Sequence, residues 1–228
     1  MSELTDATPT PNAFCFNICD SLGINQRYQN TRIAVVNSKS TFASNKSVSV
    51  FCSSAPDIPA NSLQLAFDVG AAIAKSGWNL IWGGGKASMM GEVAKGARAF
   101  GGKTIGVIPT SLKTIEFADE AADELHVVED MRMRKAKLEN LSDAFIALPG
   151  GIGTLEEFFE IWVGRYLGFH KKPIAMCDPY SDWVPVQEAL AHLTKIKMIK
   201  DGQSEIIHWS KNIDVILEEF SRFFRESI

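Results

Sequence analysis

Three stretches of the sequence carry residue types that can bind an anion and stabilise charge as it develops. They are Ser53-Ser54, Gly83-Gly84-Gly85-Lys86-Ala87-Ser88-Met89-Met90-Gly91, and Pro149-Gly150-Gly151-Ile152-Gly153-Thr154-Leu155-Glu156-Glu157. Each follows an apolar run and precedes a helical pattern, so each reads as a strand-to-helix turn. Glycine at such a turn lets the backbone come close to a phosphate. The first N–H groups of the helix have no intrahelical partner and face the anion with the helix dipole behind them. Glycines at strand ends also serve tight turns and close packing. Two such loops in one small sheet, the second adding Thr154 as hydroxyl donor and candidate N-cap, point instead to a ligand. Neither loop has the G-x₄-G-K-[ST] pattern, and Gly83-x-Gly85-x₅-Gly91 departs from G-x-G-x-x-G, which argues against ATP hydrolysis and NAD-dependent redox chemistry.

Glu157 follows Thr154 by three residues, at the start of a helix. Two readings are open for the Glu156-Glu157 pair. One of the two is the N3 carboxylate of a capping box with Thr154, or one of them points at the ligand held by the loop. There it would stabilise an oxocarbenium-like ribose or orient a water onto C1′. Neighbouring helical residues point about 100° apart, so only one can face the site. The segment Asp130-Met131-Arg132-Met133-Arg134-Lys135 opens another helix. Cations there oppose the dipole unless an anion is near, and Arg134 and Lys135 are its candidate partners.

The elements that must position these residues alternate. Ser47 to Cys52 is a compact apolar strand, followed by a helix over about 59–75 that stops at Gly77. Trp78 to Trp82 is the next strand, and the glycine triplet opens a helix to about Phe100. Thr104 to Ile108 is a strand, Leu125 to Val128 a short one, Met131 to Leu141 a helix and Ala144 to Leu148 a strand. Glu156 to Leu167 reads as a helix, Pro173 to Met176 as a strand, Trp183 to Ile196 as a helix and Ile213 to Phe224 as a final amphipathic helix. Strands apolar on both faces, such as Phe145-Ile146-Ala147-Leu148, need helices above and below. The expected architecture is a single-domain α/β fold, a Rossmann-like doubly wound parallel sheet. Ligands of such sheets sit beyond the carboxyl ends of the strands. Residues 1–46, rich in Asn, Ser and Thr, read as a partly irregular or disordered extension, with a short strand or partner-binding segment at Arg32-Ile33-Ala34-Val35-Val36 as the lesser alternative; residues 47–228 form the domain.

Composition narrows the partners. With 46% hydrophobic and 22% charged residues, 228 residues suffice for one sizeable core. A net charge of −4 argues against general nucleic-acid binding, which needs a basic face, but leaves room for a small anion held by a few local groups. Cys15, Cys19, Cys52 and Cys177 make neither a disulfide framework nor a zinc set, which fits a reducing, cytoplasmic setting. No run approaches the roughly 20 apolar residues of a membrane span, and the N-terminus has no basic signal-peptide region.

Taken together, Gly83-Gly84-Gly85 with Met90-Gly91, Met131-Arg132-Met133-Arg134-Lys135 and the Pro149 to Glu157 stretch resemble the LOG family, the cytokinin riboside 5′-monophosphate phosphoribohydrolases, often mislabelled as lysine decarboxylases. The resemblance covers residues 47 to 225. It implies a homodimer or higher oligomer and a reaction without metal or cofactor that activates cytokinins by releasing the free base and ribose 5-phosphate, with AMP as a further substrate. It implies Arg134 and Glu157 as the catalytic pair. Arg134, Lys135 and the segment Pro149, Gly150, Gly151, Ile152, Gly153, Thr154, Leu155 and Glu156 would hold the nucleotide, with the Pro149 loop on the phosphate. Ser54, Gly83, Gly84, Gly85, Met90, Gly91 and Glu116 complete the implied substrate contacts. Ser53, Arg132 and the segment Trp162-Val163-Gly164-Arg165-Tyr166 depart from the family's commonest residues.

A non-catalytic nucleotide-binding or carrier module would use the same glycine turns but has no need of a carboxylate and an arginine beside the sugar, so Glu157 and Arg134 favour the enzyme. A pyridoxal decarboxylase needs a Schiff-base lysine with partners for the pyridine ring, and Lys86, Lys135 and Lys172 have no such setting. A Ser-His-Asp hydrolase lacks its G-x-S-x-G element, and His126, His170, His192 and His208 fall in no recognised motif.

Overall fold

The computed structural model describes residues 46–226. The reading of residues 1–45 as an extension, Arg32–Val36 included, lies outside them. Seven strands form one sheet, all neighbouring pairs parallel, in the order β4-β3-β2-β1-β5-β6-β7. The strands are β1 (Ser47–Phe51), β2 (Asn79–Trp82), β3 (Thr104–Pro109), β4 (Glu124–Val128), β5 (Ala144–Ala147), β6 (Ile174–Cys177) and β7 (Ile207–Ser210). The helices are α1 (Ala60–Lys75), α2 (Ser88–Ala99), α3 (Met131–Leu141), α4 (Ile152–Tyr166), α5 (Val184–Lys195) and α6 (Ile213–Glu226).

The double winding follows from alternating side chains. Val48, Val50, Leu80, Trp82 and Ile146 pack with α1, α2 and α6 on one face. Phe51, Ile81, Phe145, Ala147 and Met176 pack with α3, α4 and α5 on the other. Because both faces are covered, the central strands are buried throughout, which is why they read as continuous apolar runs. The chain winds outward from β1 to β4, then returns to place β5 beside β1, with Val48 opposite Ala144 and Phe51 opposite Ala147. Winding reverses there, and such a switch point opens a crevice at the carboxyl ends of the two strands.

Three local expectations are corrected. The glycine triplet does not open α2, which starts at Ser88. Gly85 instead bridges Ala118, and Lys86 donates to the Phe117 carbonyl at 2.9 Å, so the turn is joined to the segment after β3. α4 begins at Ile152 with Gly151 as its cap and no side-chain capping bond. Thr154 therefore lies inside the first turn rather than at the N-cap, and no capping box with Glu156 or Glu157 forms. β7 was not expected: its four residues, only one of them fully buried, give a weak strand signal at the sheet edge.

Candidate active site

The crevice at the β1/β5 switch point holds a pocket of about 320 Å³. One wall is the start of α4. With no side chain capping it, its first-turn N–H groups remain available, and Gly151, Ile152 and Gly153 are all exposed there. The glycines of this loop differ in what they are for. A Cβ at Gly150 would fall 2.2 Å from Oγ1 of the buried Thr154, so Gly150 is required by packing. A Cβ at Gly151 or Gly153 would meet no protein atom within 4 Å, and neither residue has the left-handed backbone that favours glycine. They leave open space in front of the helix start, a setting in which an anion can approach a backbone closely.

The opposite wall carries Arg134 from the first turn of α3, whose N-cap Asp130 accepts from the Met133 amide at 2.8 Å. The Arg134 side chain is buried and its seat is built around it. Nη2 donates to the Gly83 carbonyl at 3.1 Å and to Glu116 Oε2 at 3.3 Å, and a Cβ at residue 83 would stand 2.0 Å from that same nitrogen. Nη1 lies 3.8 Å from Met131 Sδ. Nε is buried with no hydrogen-bond partner among the described residues.

Glu157, on the second turn of α4, is partly buried in the wall between these features. Burial pushes its carboxyl up from its ordinary 4.5 to about 7; Arg134 and Lys135 pull the other way, while Glu156 and Glu116 push it further up. The group therefore changes charge near neutral pH, as groups at reaction centres do. Cys52 also lines the pocket, but burial above all, then Glu157, drives its thiol far up, which makes it a packing residue and not a nucleophile.

The structure brings Ser54, Met90, Glu116, Arg134, Gly151, Ile152, Gly153, Thr154, Glu156 and Glu157 together around the pocket. Gly83 stands behind it as the seat of Arg134, and Gly85 backs onto Met90 and Glu116. Gly84, Gly91, Pro149, Gly150 and Leu155 support these walls without lining the space. Lys135 does not line it either: its ammonium is bonded to Glu156 and, at 2.6 Å, to Glu160. Sequence reading missed Cys52, Ala55, Leu112 and Met131 as lining residues. Leu112 follows β3, where a single helical turn at Thr110–Leu112 replaces the helix that a strand-to-helix search looks for. Among the described residues no three His, Cys, Asp or Glu side chains gather as a metal-ligand set. No helix there is long and apolar enough to cross a membrane.

A family profile described as "Possible lysine decarboxylase" matches residues 90–220. A cytokinin riboside 5′-monophosphate phosphoribohydrolase of Mycobacterium tuberculosis is 56% identical over 133 residues, 58% of this chain and 71% of that protein. One of the same name from Mycobacterium marinum is 44% identical over 171 residues, 75% of this chain and 91% of that protein. The chain belongs to the LOG family. As a LOG-family protein it is an enzyme of the phosphoribohydrolase type, and the profile's description does not extend to its chemistry. A molybdenum cofactor binding protein from Rippkaea orientalis superimposes with a TM-score of 0.63 at 23% identity, over 79% of this chain and 98% of that one. At that identity the likeness is one of fold alone, the doubly wound sheet that the LOG-family chain shares with it.

Proposed function

We propose that this protein hydrolyses the N-glycosidic bond of cytokinin riboside 5′-monophosphates, N6-substituted forms of AMP, to the free base and ribose 5-phosphate, with AMP as a second substrate. The observation that carries this reading is the convergence of Arg134 and Glu157, from two different helices, on a pocket whose remaining wall is the uncapped start of α4. The helix start takes the 5′-phosphate, which accepts from its free N–H groups. Arg134, held on Gly83 and Glu116, brings its positive charge to the pocket wall for the nucleotide. The ionised Glu157 then lies beside the sugar. As the bond from C1′ to the base nitrogen breaks and its electrons leave with the base, positive charge grows on the ribose ring, and a carboxylate in a partly desolvated wall stabilises it. A water oxygen bonds to C1′; the base nitrogen gains one proton, and the water gives one up.

A homodimer is part of the proposal. Val163, Tyr166, Leu167 and Phe169 stand exposed together at the end of α4, and apolar patches of this kind seek a partner. A cytoplasmic setting agrees with the free, buried thiols of Cys52 and Cys177.

The test is incubation with N6-isopentenyladenosine 5′-monophosphate, with AMP and with the two ribosides, following base release by chromatography. Release from the monophosphates and not from the ribosides is expected. Equal release from ribosides would remove the phosphate from the reading, and no release from any of the four would remove the reaction.

A further inference from the structure

The Arg134 guanidinium rests on two segments from different places in the chain: the glycine turn after β2, through the Gly83 carbonyl, and residues 110–123 between β3 and β4, through Glu116. The second segment has little packing of its own, and Asp119 is its one fully buried residue. Its middle is laid along the glycine turn. The Lys86 amide donates to the carbonyls of Glu116 and Phe117, Gly85 bridges Ala118, and the Asp119 amide donates to the Gly84 carbonyl at 2.8 Å. The Trp82 indole steadies the same turn by donating to the Gly85 carbonyl at 3.0 Å. Phe117, next to Glu116, takes a left-handed backbone with φ at 52°. A bulky side chain rarely adopts that conformation, which persists only where the surroundings impose it.

The buried Asp119 ties this segment to a helix. Its carboxylate accepts from the Ala121 amide at 3.1 Å and from Nη2 of Arg98, in the last turn of α2, at 3.0 Å. The Asp119 side chain is 6% exposed and that of Arg98 27%, and neither lines the pocket. Such a pair is a poor source of stability. Desolvation of the two charges offsets most of their attraction, and Nη1 of Arg98 is buried with no hydrogen-bond partner among the described residues. A pair of this kind does fix registry. It sets which residue of the segment faces α2, and so where Glu116, three residues earlier, meets Arg134.

We propose that Arg98 and Asp119 are positioning residues for the reaction: their ion pair pins residues 110–123 to α2 and so holds Glu116, and through it the Arg134 guanidinium, at the pocket wall. Neither touches the nucleotide. The proposal rests on the reading of Arg134 as a catalytic residue.

The experiment compares the full chain with Arg98→Met/Asp119→Asn, which removes both charges and keeps an acceptor for the Ala121 amide. The melting temperature should stay within about 4 °C of wild type, since loss of a whole buried pair is close to neutral. In the same variant kcat/KM for N6-isopentenyladenosine 5′-monophosphate should fall roughly tenfold to a hundredfold, the scale of a misplacement of about 1 Å. Unchanged kcat/KM would overturn the proposal. In a Glu116→Gln background the same double change should cost no more than about twofold, because it acts through Glu116. A pair that is merely structural would cost as much in both backgrounds, and that result too would contradict the proposal. Arg98→Lys keeps the ion pair and should keep most of the rate; a loss as large as that of the charge-free variant counts against the role of the pair. Should the double variant not fold, Asp119→Asn alone carries the same comparisons. Nitrogen-15 spectra of nucleotide-free protein give an answer that needs no turnover. With Nη2 held between Gly83 and Glu116, rotation about the Nε–Cζ bond of Arg134 is slowed. It should quicken several-fold in the charge-free variant, and an unchanged rate would refute the pinning. Failure of the wild type to hydrolyse this substrate or AMP would sink the functional reading alone, leaving the guanidinium rotation to judge the pair.

Discussion

Nη2 of Arg134 rests 3.1 Å from the carbonyl oxygen of Gly83, at a point where a single methyl group on residue 83 would come within 2.0 Å of it. The absence of a side chain at residue 83 is thus a requirement of a residue 51 positions away. Gly83→Ala should displace the guanidinium from Glu116 and lower kcat/KM roughly a hundredfold, approaching the loss in Arg134→Ala. The check is steady-state kinetics on both single variants and on the double variant. If the two act through one group, the double variant is no worse than Arg134→Ala.

Glu157→Gln should keep nucleotide affinity within a few-fold while turnover falls by about three orders of magnitude, because the shape of the wall is kept and the charge at the developing cation is lost. Calorimetric binding of AMP alongside single-turnover base release separates the two. Near-normal turnover would remove Glu157 from the chemistry.

The titration of Glu157 predicts two opposite pH trends. Base release should rise with an apparent midpoint near 7 as the carboxylate forms. Stability should fall over the same range. The carboxyl binds its proton more tightly folded than unfolded, so between its ordinary 4.5 and about 7 the native state holds more protons, and raising the pH favours unfolding. Glu157→Gln should therefore be more stable than wild type at about pH 8, by roughly 1–3 kcal/mol, and equal to it near pH 4. Thermal melts of both proteins at the two pH values check the sign, and kcat/KM against pH checks the midpoint.

Gly150 and Gly153 should respond in opposite ways to the same methyl group. Gly150→Ala meets Thr154 Oγ1 at 2.2 Å and should destabilise the protein by about 1–3 kcal/mol. Gly153→Ala meets no protein atom and adds helix propensity worth up to about 1 kcal/mol, so its melting temperature should hold or rise. Its KM for the monophosphate should rise about tenfold, since the methyl group occupies the phosphate approach. A Gly153→Ala protein with unchanged KM would show that no ligand comes that close.

The sheet, its winding and nearly every element could be read from the sequence because buried parallel strands and amphipathic helices write their periods over many residues. The expected helix Met131–Leu141 is α3 with the same bounds, and Asp130 caps it. α4 starts four residues earlier than expected because Gly151 and Gly153 give poor helix signals. The convergence of Arg134 and Glu157 rested on family likeness, since two residues on separate helices show no pattern in sequence that fixes their distance. The role of Gly83 as a seat was invisible for the same reason: glycine records only that something else needs the room. Leu112 and Cys52 lay outside the turns in which a ligand was sought.

Four strands and three helices precede β5 in the chain, yet β5 lies beside β1, and the pocket takes its residues from both sides of that seam. A half-folded chain that has β1 to β4 but has not inserted β5 owns the seat of Arg134 and no phosphate wall. A ligand that needs both walls can bind only with the seam closed, so it would stabilise the pairing that is most distant in sequence within the sheet. A molecule held between those walls would in that sense be a fastener for the joint that the chain closes over its longest sequence separation.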